Sequence, residues 1–337
     1  MCIRDRFYGA DEARFDAEDS ISYSNLTGGS TPRFVIAQDL DGDADVDFLL
    51  SNGSGSPRLL SQSTPGNFQV TVLPQTSPAS TSLVLAAGDL DGDGRMDVVS
   101  GAGAILRVHF QTAEGQFPAD SSLVLEDASL FNFADDVSGR GLHLGDADGD
   151  GDLDLAFAVA GDEQVGVLVN DLGQFDPADA LLFGDDDLFD SPRAVQLVDA
   201  NGDGVVDLVA ADLVTNGASA VELQVLFGLG AGQFAPAATL SIDNGEPTAF
   251  VRAIQAVDLD LDGDLDLAAK LDSELVLLRQ TTPRQFETLE PEFLGAPGGA
   301  GPFSESLVAA DVDGDGDPDL VAGDLGGQRL VVRFSSR

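Results

Sequence analysis

The chain of 337 residues has no tryptophan, a single cysteine (Cys2), a single lysine (Lys270) and two histidines (His109 and His143). One cysteine excludes an internal disulfide framework and any zinc site built on several cysteines. No apolar run reaches the roughly 18 residues that a membrane-spanning helix requires, which speaks against membrane insertion. With Tyr8 and Tyr23 the only tyrosines, few ring platforms exist on which a sugar face could stack. Positive charge is scarce too: 16 basic residues stand against 59 acidic ones, for a formal charge of -43. That balance excludes a nucleic-acid partner, whose affinity comes from Lys and Arg neutralising phosphates. It also disfavours anionic membrane surfaces. Cations are what it attracts, as a diffuse atmosphere or as bound hard ions.

What is present is enough apolar material, 43%, to build a core, so the chain is expected to fold despite its charge. A length above 300 residues points to two domains or to a repeat array. One nine-residue pattern recurs: DLDGDADVD at 39–47, DLDGDGRMD at 89–97, DADGDGDLD at 146–154, DANGDGVVD at 199–207, DLDLDGDLD at 258–266 and DVDGDGDPD at 311–319. Successive copies start 50 to 59 residues apart, the period of one supersecondary unit per copy.

A short apolar run precedes each copy and another follows, so each loop joins two strands of buried character. A third run ends in a turn and a phenylalanine, as in VHFQTAEGQF and VLVNDLGQF, and a fourth run comes next. Four short strands separated by Gly, Pro, Asn and Asp describe one propeller blade. The expected fold is therefore all-β, a β-propeller of four-stranded blades. Its segments are 32–80, 81–137, 138–191, 192–248 and 249–303, with partial blades at 1–31 and 304–337. FYGADEARF at 7–15 reads as the end of a third strand, and RLVVRF at 329–334 as a third strand without its turn. The N-terminal strand then closes a six-bladed ring, or the sequence is a fragment of a seven-bladed propeller. A chain that opens inside a blade would have its export signal upstream. The first residues, MCIRDR, resemble translated adapter sequence and are set aside.

Carboxylates stand at positions 1, 3, 5 and 9 of the loops, with Gly usual at 4 and 6. Oxygen-only ligands at that density suit a hard cation, and calcium, which takes six to eight oxygens, better than magnesium. The expected ligands are side-chain oxygens at positions 1, 3, 5 and 9 and the backbone carbonyl of position 7. In the first loop these are Asp39, Asp41, Asp43, Asp47 and the carbonyl of Asp45; in the second, Asp89, Asp91, Asp93, Asp97 and the Arg95 carbonyl. The third offers Asp146, Asp148, Asp150, Asp154 and Asp152; the fourth Asp199, Asn201, Asp203, Asp207 and the Val205 carbonyl. The fifth has Asp258, Asp260, Asp262, Asp266 and Asp264; the sixth Asp311, Asp313, Asp315, Asp319 and Asp317. Gly at position 6 would supply the positive φ that a tight wrap needs. Ala44 takes that place in the first loop, and Leu261 takes position 4 of the fifth. An EF-hand is excluded, because no Glu stands at position 12 and no helices flank the loops. The cofactor implied is Ca²⁺, about six ions. Carboxylates this close repel by about 1 kcal/mol per pair even in water, so the ions would be structural.

Elsewhere the chemistry is thin. His109 lies in a third strand and His143 in a first strand facing the expected channel; a structural role is expected for both. Asp185, Asp186 and Asp187 read as a solvated turn. Phe15, Phe68, Phe117, Phe175, Phe234 and Phe286 read as packing between blades. Asn25-Leu26-Thr27 is a glycosylation sequon, a short pattern with a high chance rate. No phosphate-binding glycine loop, nucleophile elbow or zinc motif occurs, and no catalytic residue is assigned.

The six loops and the recurring Gly-x-Phe turn make residues 7 to 334 resemble the FG-GAP or VCBS repeat proteins, whose blades resemble those of the integrin α-chain propeller. That resemblance implies calcium between the first and second strands of each blade, an extracellular or surface location, and a role in adhesion or ligand binding with a protein or polysaccharide partner. The leading expectation is a non-catalytic binding or scaffold module. A calcium-dependent polysaccharide lyase or hydrolase, or a fragment of a larger surface protein, stays open beside it.

Overall fold

A computed structural model describes residues 2–4, 20–22, 34–51, 56–64, 67–76, 84–131, 133, 141–159, 163–184, 189, 192–212, 220–235, 238–243, 251–271, 274–289, 292–293, 307–311, 316–324 and 329–333. Outside them lie Asp313, Asp315, Phe15, Asp185, Asp186, Asp187 and the Asn25 sequon. The architecture is all-β and antiparallel throughout, and among the described residues no helix is long and apolar enough to cross a membrane.

The chain divides into two compact units, Met1–Asp136 with Val312–Asp315, and Val137–Asp311 with Gly316–Arg337. In the first unit β1 (Cys2–Arg4) pairs with β2 (Ser20–Ser22). Sheet I is β3 (Val35–Gln38), β4 (Asp47–Leu50), β5 (Arg58–Thr64) and β6 (Asn67–Val72), hydrogen-bonded in chain order. Sheet II repeats the arrangement with β7 (Val84–Gly88), β8 (Asp97–Ala102), β9 (Ile105–His109) and β10 (Ser122–Glu126).

In the second unit, sheet III comprises β11 (Leu142–Gly145), β12 (Asp154–Val159) and β13 (Gln164–Leu168). It continues through a ribbon of β14 (Asn170–Asp171) and β15 (Gln174–Phe175) to its edge, β16 (Leu181–Phe183). Sheet IV has β17 (Pro192–Val198), β18 (Asp207–Asp212) and β19 (Ala220–Leu226). The ribbon β20 (Gly228–Gly230) and β21 (Gln233–Phe234) leads to β22 (Ala238–Asp243). Sheet V has β23 (Ala253–Val257), β24 (Asp266–Lys270), β25 (Glu274–Thr282) and β26 (Gln285–Thr288), with β27 (Glu292–Phe293) also on β25. Sheet VI holds β28 (Leu307–Ala310), β29 (Asp319–Asp324) and β30 (Arg329–Arg333), and among the described strands β30 pairs with β29.

Burial explains the sequence pattern. The second strands β8 and β12 are buried along their whole length, which is why they read as unbroken apolar runs rather than alternating ones. The fourth strands alternate or lie mostly exposed, as β6 does. Within each unit, consecutive sheets pack face to face. Leu40, Leu49, Leu59, Leu85 and Val98 join sheets I and II; Val165, Val167, Val195 and Leu208 join III and IV. Val209, Leu223, Ile254 and Leu278 join IV and V, and Ala253, Leu275, Leu307 and Leu320 join V and VI. At about 1.5–3 kcal/mol for each fully buried Leu, Ile or Val, these layers hold neighbouring sheets together.

Of the repeated phenylalanines, Phe117, Phe234 and Phe286 pack in these layers. Phe234 meets Phe183 of the preceding sheet edge-on at 5.1 Å between ring centroids. Phe175 is buried. Phe68 lies 5.4 Å from Phe48 of its own sheet. The cause is register, since β6 and β4 flank β5 and their outward rings meet across it.

Candidate metal centres

Every acidic nonapeptide connects the first strand of a sheet to the second: loops I to VI follow β3, β7, β11, β17, β23 and β28. The first aspartate organises the turn. Asp39 accepts the amides of Gly42 (2.8 Å) and Ala44 (3.0 Å), Asp89 those of Gly92 and Gly94 (both 2.9 Å), and Asp146 those of Gly149 (2.7 Å) and Gly151 (3.1 Å). In loops IV, V and VI the same carboxylate takes the sixth-position amide, from Gly204, Gly263 and Gly316. Folding the chain back onto one carboxylate demands a left-handed sixth residue, and all six adopt it. Ala44 does so at φ 71° and Leu261, at position 4, at φ 58°, where a Cβ is disfavoured. The two departures from Gly thus change the residue and keep the backbone.

The ninth aspartate has a different job. Asp47, Asp97, Asp154, Asp207, Asp266 and Asp319 are all buried. One oxygen accepts the amide of the second loop residue, such as Leu40 (2.9 Å), Leu90 (3.0 Å) or Ala147 (2.7 Å). The other accepts an amide just beyond or at the end of the third strand: Gln62, Gln111, Asn170, Gly228 or Gln280, at 2.7 to 2.8 Å. The residue therefore staples loop to sheet. Burial pushes Asp97, Asp154 and Asp207 up to about 6 and raises Asp47 and Asp266 in the same direction.

Between these pins the remaining carboxylates converge. Asp39, Asp41 and Asp43 bring one oxygen each within 4.8 Å of one another; so do Asp89, Asp91 and Asp97, then Asp146, Asp148 and Asp154, and Asp258, Asp260 and Asp262. Burial, and then the neighbouring carboxylates, raises Asp41 and Asp148. A divalent cation would relieve both causes, and an all-oxygen donor set of this kind fits calcium. Asp93 pairs with Arg95 of its own loop and Asp150 accepts the Asp152 amide. Asp45 and Asp264 donate their own amides to Asp43 and Asp262, whereas Asp152 accepts the Leu172 amide across to the ribbon.

Loop IV differs. Asn201 is buried and points its amide nitrogen at both oxygens of Asp207 (3.2 and 2.9 Å). Asp203 meets the Arg284 guanidinium of sheet V at 3.4 Å, and that group also lies 4.6 Å above the Phe227 ring. In loop VI, Asp311 is exposed while Asp317 and Asp319 are buried.

Within each unit the turn that closes a third strand sits on the acidic loop of the sheet before it. The Ala231 amide donates to the Asp148 carbonyl (3.1 Å). Gly232 faces Asp148, where a side chain would lie 3.6 Å from its Cβ, and Gly115 faces Asp41 in the same way at 3.8 Å. Sequence reasoning missed this contact; the Gly-x-Phe turn was its only trace.

Both histidines make hydrogen bonds within or between sheets. His109 is fully buried, its Nε2 2.8 Å from Ser100 Oγ, which lies 2.5 Å from Thr76 Oγ1. Burial, with Arg107 beside it, holds the imidazole down to about 3. His143 Nδ1 accepts the Leu197 amide of the next sheet at 3.2 Å.

Residues 39–100 match the family model described as FG-GAP-like repeat. No curated protein matches the chain. Among solved structures, an Agrocybe aegerita lectin with specific recognition of non-reducing terminal N-acetylglucosamine is similar at a TM-score of 0.56 and 16% identity, over 92% of this chain and 82% of the lectin. A Photorhabdus luminescens Tc holotoxin pore matches at 0.48 and 19% identity, over 92% of this chain and 14% of the toxin chain. BBS1N, solved in complex with ARL6DN, matches at 0.46 and 11% identity, over 93% and 95%.

Proposed function

Residues 39–100 carry an FG-GAP-like repeat, and from that premise we propose that the chain is a calcium-stabilised, propeller-like binding module, exported from the cell and without catalytic activity of its own. The observation that carries this reading is the recurrence, in four loops, of three carboxylate oxygens within 4.8 Å of one another, from positions 1 and 3 with either 5 or 9. Asp39, Asp41 and Asp43, Asp89, Asp91 and Asp97, and their counterparts in loops III and V would hold the ions. The cations would neutralise the loops and fix the link between first and second strands. Sites of this class fill at micromolar to millimolar calcium, a level met outside cells, which supports export.

A ligand-binding role is supported by the sugar-recognising lectin as structural neighbour. Because the chain has no tryptophan, recognition would rest on polar loops more than on ring stacking, and the partner would be a protein or a polysaccharide. Calorimetric calcium titration of chelator-stripped protein, with thermal melts, tests the metal. Binding of at least four ions with a rise in Tm is expected, as linkage requires when metal binds the folded state alone. No binding and no shift would overturn calcium. A screen against glycans and acidic polysaccharides with product analysis tests the rest, and depolymerised product would overturn a non-catalytic module.

A further inference from the structure

Gln111, just past β9, is 2% exposed and uses every polar atom it has. Its amide donates to Asp97 Oδ1 (2.8 Å) and its carbonyl accepts Arg95 Nε (2.8 Å). Its side-chain Nε2 donates to the carbonyls of Met96 (2.7 Å) and Leu40 (2.8 Å), while Oε1 accepts the Gly115 amide (2.9 Å). Arg95, Met96 and Asp97 are positions 7 to 9 of loop II. Leu40 is position 2 of loop I, flanked in the chain by Asp39 and Asp41, two of the three carboxylates that converge there. One buried side chain therefore spans 71 residues of sequence to tie the backbones of two acidic loops.

The equivalent position differs in side chain from sheet to sheet. Asn170 likewise bonds its own loop at the Leu153 carbonyl (3.2 Å) and its own turn at the Gly173 amide (2.9 Å). Gly228 has no side chain, and one could not be added, since a Cβ would fall 2.2 Å from the Val206 carbonyl. Gln280 is buried, yet neither its Oε1 nor its Nε2 makes a hydrogen bond. The side chain of Gln111 bonds both loops.

We infer that Gln111 is a positioning residue that couples loops I and II, so that a change in one loop alters the free energy of the other. Taken with the calcium reading above, on which this part rests, the two loops form a cooperative cation pair. Leu40 cannot shift without pulling the amide that also holds Met96, and buried amide hydrogen bonds are costly to leave unmade. Coupling between sites is reciprocal and commonly changes an equilibrium about 5-fold or more.

Amide exchange on the full chain in chelator tests the coupling without calcium. Asp89→Asn weakens loop II by removing an acceptor of the Gly92 and Gly94 amides; the readout is the Leu40 amide, which is bonded to Asp47 in loop I. Asp89→Asn is expected to speed Leu40 exchange about 5-fold or more in the native background. In a Gln111→Met background, which keeps the length of the side chain and removes its hydrogen bonds to both loops, the same substitution should change it less than about 2-fold. Core amides of β9 correct for global opening. Equal effects in both backgrounds, or none in the native one, would overturn the coupling. In calcium, Gln111→Met should keep the number of ions bound and abolish cooperativity between two of them; cooperativity unchanged would again overturn it. If the native chain binds no calcium, the calcium reading falls and the exchange result alone decides the tie.

Discussion

Ala44 and Leu261 hold backbone angles that their own side chains oppose. An L-residue in the left-handed region costs about 1–2 kcal/mol, and Gly gives part of that back as unfolded-state entropy. Ala44→Gly and Leu261→Gly are each expected to stabilise the protein by about 0.5–1 kcal/mol, read as a higher urea midpoint at unchanged m. Gln280 offers a second case, because it buries an amide with no hydrogen bond on either atom. Gln280→Met should stabilise by about 1 kcal/mol or more, since an unsatisfied buried group carries its full desolvation cost. Gln111→Met, at the equivalent place, should destabilise by at least as much. Equal signs at the two positions would contradict the hydrogen-bond assignments. Composition did not distinguish these glutamines: each lies at or just past the end of a third strand, and what separates them is whether a carbonyl lies within reach of the side chain.

At the scale of the element, each loop is a hairpin whose ninth residue is pinned inside the sheet, and pH should reveal it. Burial puts Asp97, Asp154 and Asp207 near 6 in the folded chain, from an ordinary 3.8. Between those values the metal-free folded state holds more protons than the unfolded one, so these groups cost stability as pH rises from about 4 through 6. His109 works the other way: near 3 when folded against an ordinary 6.5, it costs stability as pH falls below 6.5. Three carboxylates act against one imidazole. The chelated protein should therefore melt higher at pH 5 than at pH 7, and millimolar calcium should invert that order by holding the carboxylates ionised. A chelated Tm lower at pH 5 than at pH 7 would refute this account. The loops themselves were legible because six copies share one register. The double duty of position 9 was only half legible: within this chain it is aspartate in all six copies, even where positions 3, 4 and 6 vary, but its buried side and its bond to the third strand come from tertiary packing.

Across the whole molecule the dominant fact is charge. The six loops hold 27 of the 59 acidic residues, and six calcium ions would bring -43 to -31. Self-repulsion of this size is screened by any salt, over about 10 Å at 0.1 M, whereas a built site saturates. Chelated protein should thus gain Tm gradually with sodium chloride up to about 1 M, while calcium should act over millimolar concentrations and then level off. A calcium effect no steeper than that of sodium at equal ionic strength would reduce the loops to solvated turns. The four-stranded order of the sheets was readable from alternating apolar runs and turn residues. How a turn in one sheet meets the loop of its predecessor was not, because no local pattern encodes a contact made with the previous repeat.

That contact has a consequence for how such a chain can change length. Within a unit a sheet supplies a loop to its successor and a turn to its predecessor, so the piece that must be copied or deleted there is a full period, not a sheet bounded by its own first and fourth strands. Within a unit, excision of one whole period rejoins a turn to a loop of the same design; excision of half a period leaves an acidic loop with nothing above it. Gain and loss of repeats would then proceed in steps of 50 to 59 residues, with every intermediate ancestor able to fold.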